Sequence, residues 1–271
     1  SSILLGLLLF SSAEAQLSGV ITDVSNKKPA RNATVFINNT TLHHTTNSDG
    51  TFEINGLQPG FYDLVVYHPK YQIFKSSLQV QSNKAYQLNL SITPLEEKPK
   101  ATKQDEEWEL NLDWFKNGLL GSDVNTAACK IVNEKALSFQ REGDQLTATA
   151  TEPIVIENNA LGYKSPYYLQ SFTASASTAD IQGMTQYEEL SSEDYLITNE
   201  WHRNRQKAYW GSSRHLFQSM VNGNLNREGF ELYDEKGNSI AKDSLMSPSK
   251  INGYYHIELP KVTKVIYTIA A

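Results

Sequence analysis

Residues 47–66, NSDGTFEINGLQPGFYDLVV, constrain the fold more than any other stretch. Two turn signals, Asp49-Gly50 and Pro59-Gly60, punctuate short β-favouring runs. Gly50 takes φ > 0 without a Cβ clash, and Asp49 tolerates left-handed geometry. Asp-Gly between HTT and TFEINGL therefore predicts a hairpin. Glu53 alternates with Phe52 and Ile54, as an outward-facing strand residue does. An EF-hand calcium loop needs a run of oxygen side chains closed by a bidentate Glu, and Gly-Thr-Phe after Asp49 does not supply it.

The same texture runs on both sides. LSGVITD and ATVFINN read as strands joined by the polar turn SNKKPARN. A strand follows Pro59-Gly60, and FKSSLQVQ and AYQLNLSI bring the count to about seven. Short strands with turn signals every 8–12 residues predict a β-sandwich.

These residues resemble the carboxypeptidase regulatory-like domain. SGVITD, KKPARNATVFINN and TTNSDGTFEINGLQPGFYDLVVYHPKYQ follow its pattern over about residues 17–92. The resemblance implies a transthyretin-like, prealbumin-type sandwich of seven strands. It also implies an accessory, non-catalytic module at the front of secreted and outer-membrane proteins of the Bacteroidota type. Some folds of this kind bind carbohydrate, and others space or stabilise a neighbour.

A chain of 271 residues suits two domains. The formal charge of −6 argues against binding nucleic acid through phosphate neutralisation. The single cysteine, Cys129, excludes an intrachain disulfide, and its apolar context TAACKIVN predicts a buried small hydrophobe. At the front, residues 3–10 are apolar and Ala13-Glu14-Ala15 is a small-x-small site. Residues 1–15 read as the remnant of a signal peptide, with a mature start near Gln16. No segment has the length and apolarity of a transmembrane helix.

Residues 94–107, rich in charge and interrupted by proline, read as a linker. The sandwich is expected over 16–93 and a second domain over 108–271. Trp108, Leu112, Phe115 and Leu119 share one helical face, with acidic residues at its start and Gly118 or Gly121 as its stop. ALSFQ, QLTATAT, PIVIEN and SPYYLQSFTASAS read as strands. Residues 199–221 read as helical, with a break at Gly211-Ser212-Ser213 and a stop at Gly223. Three strands end the chain. The second domain is thus α+β, with a mostly antiparallel sheet and two or three helices. Its elements LGYKSPYY and EWHRNRQKAYWGSSRH resemble the second region of Bacteroidota carboxypeptidase-regulatory-like proteins. That likeness implies membership rather than an activity.

No H-E-x-x-H, G-x-S-x-G or P-loop motif occurs, so nothing nominates a catalytic residue, a metal or a cofactor. The adjacent pair His43-His44 in a polar segment is weak metal evidence. The best candidate surface is EWHRNRQKAYWGSSRH. Arg203, Arg205, Lys207 and Arg214 place four positive charges within twelve residues. Arginine forks suit carboxylate or phosphate. Trp201, Tyr209 and Trp210 can stack on sugar rings. The competing reading is internal pairing with Glu188, Glu189, Glu193 or Asp194. A second candidate is NNALGYKSPYY, where Tyr163 and Lys164 form either a polar-aromatic rim or a turn into a strand.

The sequence thus reads as an exported, non-enzymatic binding or scaffolding protein of the periplasm or outer membrane. Its expected partner is a glycan or an envelope protein. The alternative is a hydrolase with its site near His215, acting as general acid or base.

Overall fold

The computed structural model describes residues 15–81, 84–96, 106–121, 126–175, 178–241, 244–248, 255–258 and 262–268. The expected leader, apart from Ala15, and residues 97–105 of the expected linker lie outside these. The chain divides into two compact units, Ser1–Glu193 and Asp194–Ala271.

The first unit opens with the sandwich. Its strands are β1 (Ala15–Asp23), β2 (Thr34–Ile37), β3 (His43–Thr45), β4 (Thr51–Leu57), β5 (Gly60–Tyr67), β6 (Phe74–Val80) and β7 (Ala85–Ile92). One sheet has the order β4-β1-β7, with β1 and β7 parallel, and the other the order β3-β2-β5-β6. Strand alternation sends Leu17, Ile21, Phe52 and Ile54 into the core, against Val35, Ile37, Leu64 and Val66 of the facing sheet. Ala15, the last residue of the expected leader, is buried opposite Leu57.

The expected hairpin at Asp49-Gly50 is a correction. β3 pairs with β2 and β4 pairs with β1, so the turn carries the chain from one sheet to the other. Gly50 does take a positive φ of 76°. The Asp49 carboxylate accepts from the Thr51 hydroxyl at 2.8 Å. A Cβ on Gly50 would also lie 2.5 Å from the Ile21 carbonyl oxygen, because the arch presses against β1. The turn chemistry is local, whereas the strands it joins depend on sheet-to-sheet packing.

The second sheet follows α1 (Glu106–Leu120). Its strands are β8 (Cys129–Ile131), β9 (Leu137–Glu142), β10 (Gln145–Ala150), β11 (Ile154–Asn158), β12 (Tyr163–Ala174), β13 (Ala179–Thr185) and β14 (Glu188–Glu189). They pair antiparallel in the order β8-β11-β12-β10-β9, and β13 and β14 pair with β12. Trp108, Leu112 and Phe115 of α1 are buried on Leu137, Leu146 and Phe172. Each such side chain contributes about 1.5–3 kcal/mol by leaving water. The Trp108 indole N–H donates to the Leu137 carbonyl at 3.2 Å. Gly121, with φ 79°, ends the helix. Cys129 is half-buried rather than fully buried. β13, which no periodicity announced, forms because β12 is long enough to pair on both edges.

The β3-β2-β5-β6 sheet and the sheet that follows α1 share a cluster. Phe36 and Val65 point away from the sandwich core and pack on Tyr168 and Met184 of the second sheet. Backbone bonds reinforce it: the Asn39 N–H donates to the Thr185 carbonyl at 2.8 Å and the Tyr187 N–H to the Thr40 carbonyl at 2.9 Å. The compact units divide at 193/194, within the span expected for the second domain.

The second unit holds α2 (Tyr195–Tyr209), α3 (Ser213–Asn222), β15 (Phe230–Tyr233), β16 (Met246–Pro248), β17 (Tyr255–Ile257) and β18 (Lys264–Tyr267). β15 pairs with β18 and β16 with β17, both antiparallel. Leu216 and Met220 of α3 pack on Leu225, Phe230, Leu232 and Leu245. α2 starts four residues before the expected position, because the Asp194 carboxylate caps it by accepting from the Leu196 N–H at 2.8 Å. The expected break at 211–213 separates α2 from α3, and Gly223 ends α3 in the left-handed region. The molecule is thus mainly β, a sandwich followed by α+β structure.

Candidate functional site

β2 and β5 carry the signal that places the site. Val35, Phe36 and Ile37 are consecutive and all buried, as are Leu64, Val65 and Val66. A strand with one solvated face alternates. These two do not, because the second sheet covers their outer face. Tyr168 stacks on Phe36 at 4.7 Å between ring centroids and meets Tyr67 at 4.9 Å.

At the edge of this contact the two sheets part and leave a cleft of about 160 Å³. Tyr67, His68 and Tyr71 of the sandwich form one wall, and Thr151, Glu152 and Tyr168 of the second sheet form the other. Ile73, Leu95 and Leu169 add apolar surface. Among the described residues, three phenols, one carboxylate and an apolar floor make a small amphipathic pocket.

The wall is held rigidly. The Tyr71 hydroxyl donates to the Asp23 carboxylate at 2.9 Å, and the other Asp23 oxygen accepts from the Ser25 N–H at 2.6 Å. The Tyr71 ring meets His68 edge-on at 4.9 Å. His68 Nδ1 accepts from the Lys70 N–H at 3.1 Å. Asn133 donates to one Glu152 oxygen at 3.0 Å. Burial, and then the Glu152 charge, raise the Tyr67 phenol above its ordinary value. Burial does the same to Tyr168, helped by Tyr67 and Glu188. Both phenols stay neutral at physiological pH and offer a hydroxyl beside a carboxylate.

The residues singled out from the sequence lie elsewhere. Tyr163 and Lys164 open β12, paired with Asn158 and Glu157 of β11. Lys164 faces Glu188 at 3.9 Å and Tyr163 meets Tyr187 at 5.6 Å, so the turn-into-strand reading describes them. Trp201 and Arg205 are half-buried on α2, whereas Arg203, Lys207 and Arg214 are exposed. No side chain of α2 is buried, and its apolar Tyr195 and Leu196 are 75% and 72% exposed. Tyr209 donates to Gln218 at 3.0 Å.

His215 is 5% exposed and sits in the core of the second unit. Tyr209, Phe230 and Tyr267 surround its ring at 4.8–5.7 Å. Its Nδ1 accepts from the Gly211 N–H at 3.1 Å, which puts the proton on Nε2, 3.3 Å from Glu228. Both nitrogens of His215 are thus engaged inside the aromatic box. Among the described residues, no group of three His, Cys, Asp or Glu is placed to hold a metal. The cleft residues were missed because Tyr67, Glu152 and Tyr168 are far apart in sequence. The one signal for them was the unbroken apolar run in β2 and β5.

A family profile for the CarboxypepD_reg-like domain matches residues 17–100. This segment is a CarboxypepD_reg-like domain. One wall of the cleft therefore belongs to the CarboxypepD_reg-like domain and the other to the sheet that follows it. Among solved structures, the chain is similar to a type II cohesin–X-dockerin complex from Acetivibrio cellulolyticus. The match has 20% identity, covers 38% of this chain and 72% of that one, and has a TM-score of 0.29. The minor pilin of Streptococcus agalactiae matches at 21% identity over 34% of this chain, spanning only 48% of its own length, with a TM-score of 0.26. A DUF3823 family protein from Parabacteroides merdae matches at 13% identity over 69% of this chain and 84% of its own, with a TM-score of 0.25. At these scores the likenesses assign neither ligand nor activity. A search of curated proteins finds no match.

Proposed function

We propose that this chain is a non-enzymatic binding and scaffolding protein of the cell envelope, and that the cleft of its first unit takes a carbohydrate. One observation carries the reading. The CarboxypepD_reg-like domain is built into the next sheet through Phe36, Val65, Tyr168 and Met184, and the two together wall an aromatic pocket. Phenol faces beside a carboxylate suit a sugar ring, whose C–H face stacks while its hydroxyls donate. The apolar run of residues 3–10 with Ala13-Glu14-Ala15 supports export to the periplasm or outer membrane.

The exposed basic side chains Arg203 and Lys207 of α2 and Arg214 of α3 are a proposed contact for an anionic group on an envelope partner. The hydrolase alternative keeps one favourable observation, Glu228 within 3.3 Å of His215. The burial of that histidine weighs against it.

The test is a glycan array with thermal-shift confirmation on residues 16–271. Tyr67→Ala is expected to lose a hit that Arg203→Ala and Trp201→Ala retain. A hit lost only in the α2 variants would move the site to that helix. Saturable turnover of a glycan or peptide library by the wild type would sink the non-enzymatic reading.

A further inference from the structure

The cleft has more chemistry than a neutral sugar requires. Its volume, about 160 Å³, is close to the roughly 150 Å³ of a cavity known to hold one benzene ring and well under the range of drug-sized pockets. It fits one six-membered ring. Among the described lining residues, Glu152 is the one carboxylate and there is no Lys or Arg. Asn133 engages one Glu152 oxygen, which fixes the carboxylate, and Glu152 itself is exposed at the mouth. The surrounding unit is acidic, with 22 Asp and Glu against 14 Lys and Arg. The local field therefore favours a cation over an anion.

Resting on the carbohydrate reading above, we infer that the cleft selects a sugar carrying a protonated primary amine, with the ammonium on Glu152 and the ring against Tyr67 and Tyr168. An ammonium makes a charge-assisted hydrogen bond to the carboxylate, about twice as strong as a neutral one. It is also attracted to the phenol faces, which neutral hydroxyls are not. N-acetylation removes the charge and adds bulk that a one-ring cavity does not accommodate.

Saturation-transfer NMR titrations of residues 16–271 with glucosamine, N-acetylglucosamine and glucose test this. Each is run on the wild type and on Glu152→Gln, which keeps the shape and the Asn133 partner while removing the charge. The expected result is millimolar or tighter binding of glucosamine, at least tenfold weaker binding of the two neutral sugars, and at least a tenfold loss in Glu152→Gln. Equal binding of the neutral sugars, or a glucosamine affinity unchanged in Glu152→Gln, overturns the amine selectivity but leaves the carbohydrate reading intact. No binding of any of the three to the wild type overturns both.

Discussion

Asp23 shows how one side chain ties the cleft to the sandwich. Burial pushes its carboxyl up, but the N–H groups of Ser25 and Asn26 and the Tyr71 hydroxyl outweigh burial and hold it below the usual range. A depressed folded pKa stabilises the protein at pH above the unfolded value of about 4. That stability is lost as pH falls through the lower folded value. Acid denaturation monitored by circular dichroism is expected to lose this component in Asp23→Asn, whose stability should vary less below pH 4. Tyr168 works at the other end of the scale. Its phenol is raised by burial, so the stability it contributes is full below pH 10 and lost as pH rises beyond it. Tyr168→Phe gives up a long 3.4 Å bond to Gln186, and is expected to change stability at pH 7 by under about 1 kcal/mol. In alkaline titrations it should unfold at higher pH than the wild type. Tyr168→Ala opens a hole between the sheets, and is expected to cost about 3–5 kcal/mol in urea unfolding.

At the scale of elements, the parallel pairing of β1 and β7 depends on Gly19. A Cβ there would lie 2.0 Å from the Leu88 carbonyl oxygen, and backbone cannot move aside cheaply. Gly19→Ala is expected to destabilise the sandwich by about 1–3 kcal/mol or more, measured as a lower urea midpoint. The helices show what pattern reading captures. Trp108, Leu112 and Phe115 announced α1 by their spacing alone, and the buried face is the one they define. α2 has no buried side chain to define, and its true start rests on a single cap, Asp194. Asp194→Ala is expected to lower helix stability by about 1 kcal/mol, visible as faster amide exchange over residues 195–198.

At the scale of the whole molecule, the sandwich packs on the sheet that follows it. Residues 15–96 alone would expose Phe36 and Val65, which Tyr168 and Met184 cover in the intact unit. A fragment of residues 15–193 is expected to have a higher urea midpoint than one of residues 15–96, and the shorter fragment should bind a hydrophobic dye. Equal midpoints would mean that the shared cluster adds nothing to the sandwich.

The sequence by itself determined most of what is local. Seven strands, the α1 face, the break at 211–213 and the Gly223 stop all follow from periodicity and turn chemistry, which act over a few residues. The CarboxypepD_reg-like domain was legible for the same reason, since its motifs are the turns. Tertiary structure decided what depends on distant partners. Asp49-Gly50 looked like a hairpin, and only packing could send β3 and β4 to different sheets. His215 looked available until its ring proved to lie among Tyr209, Phe230 and Tyr267. The cleft joins Tyr67 to Glu152 and Tyr168 across some hundred residues of chain. No local rule couples positions that far apart; the burial of β2 and β5 on both faces does.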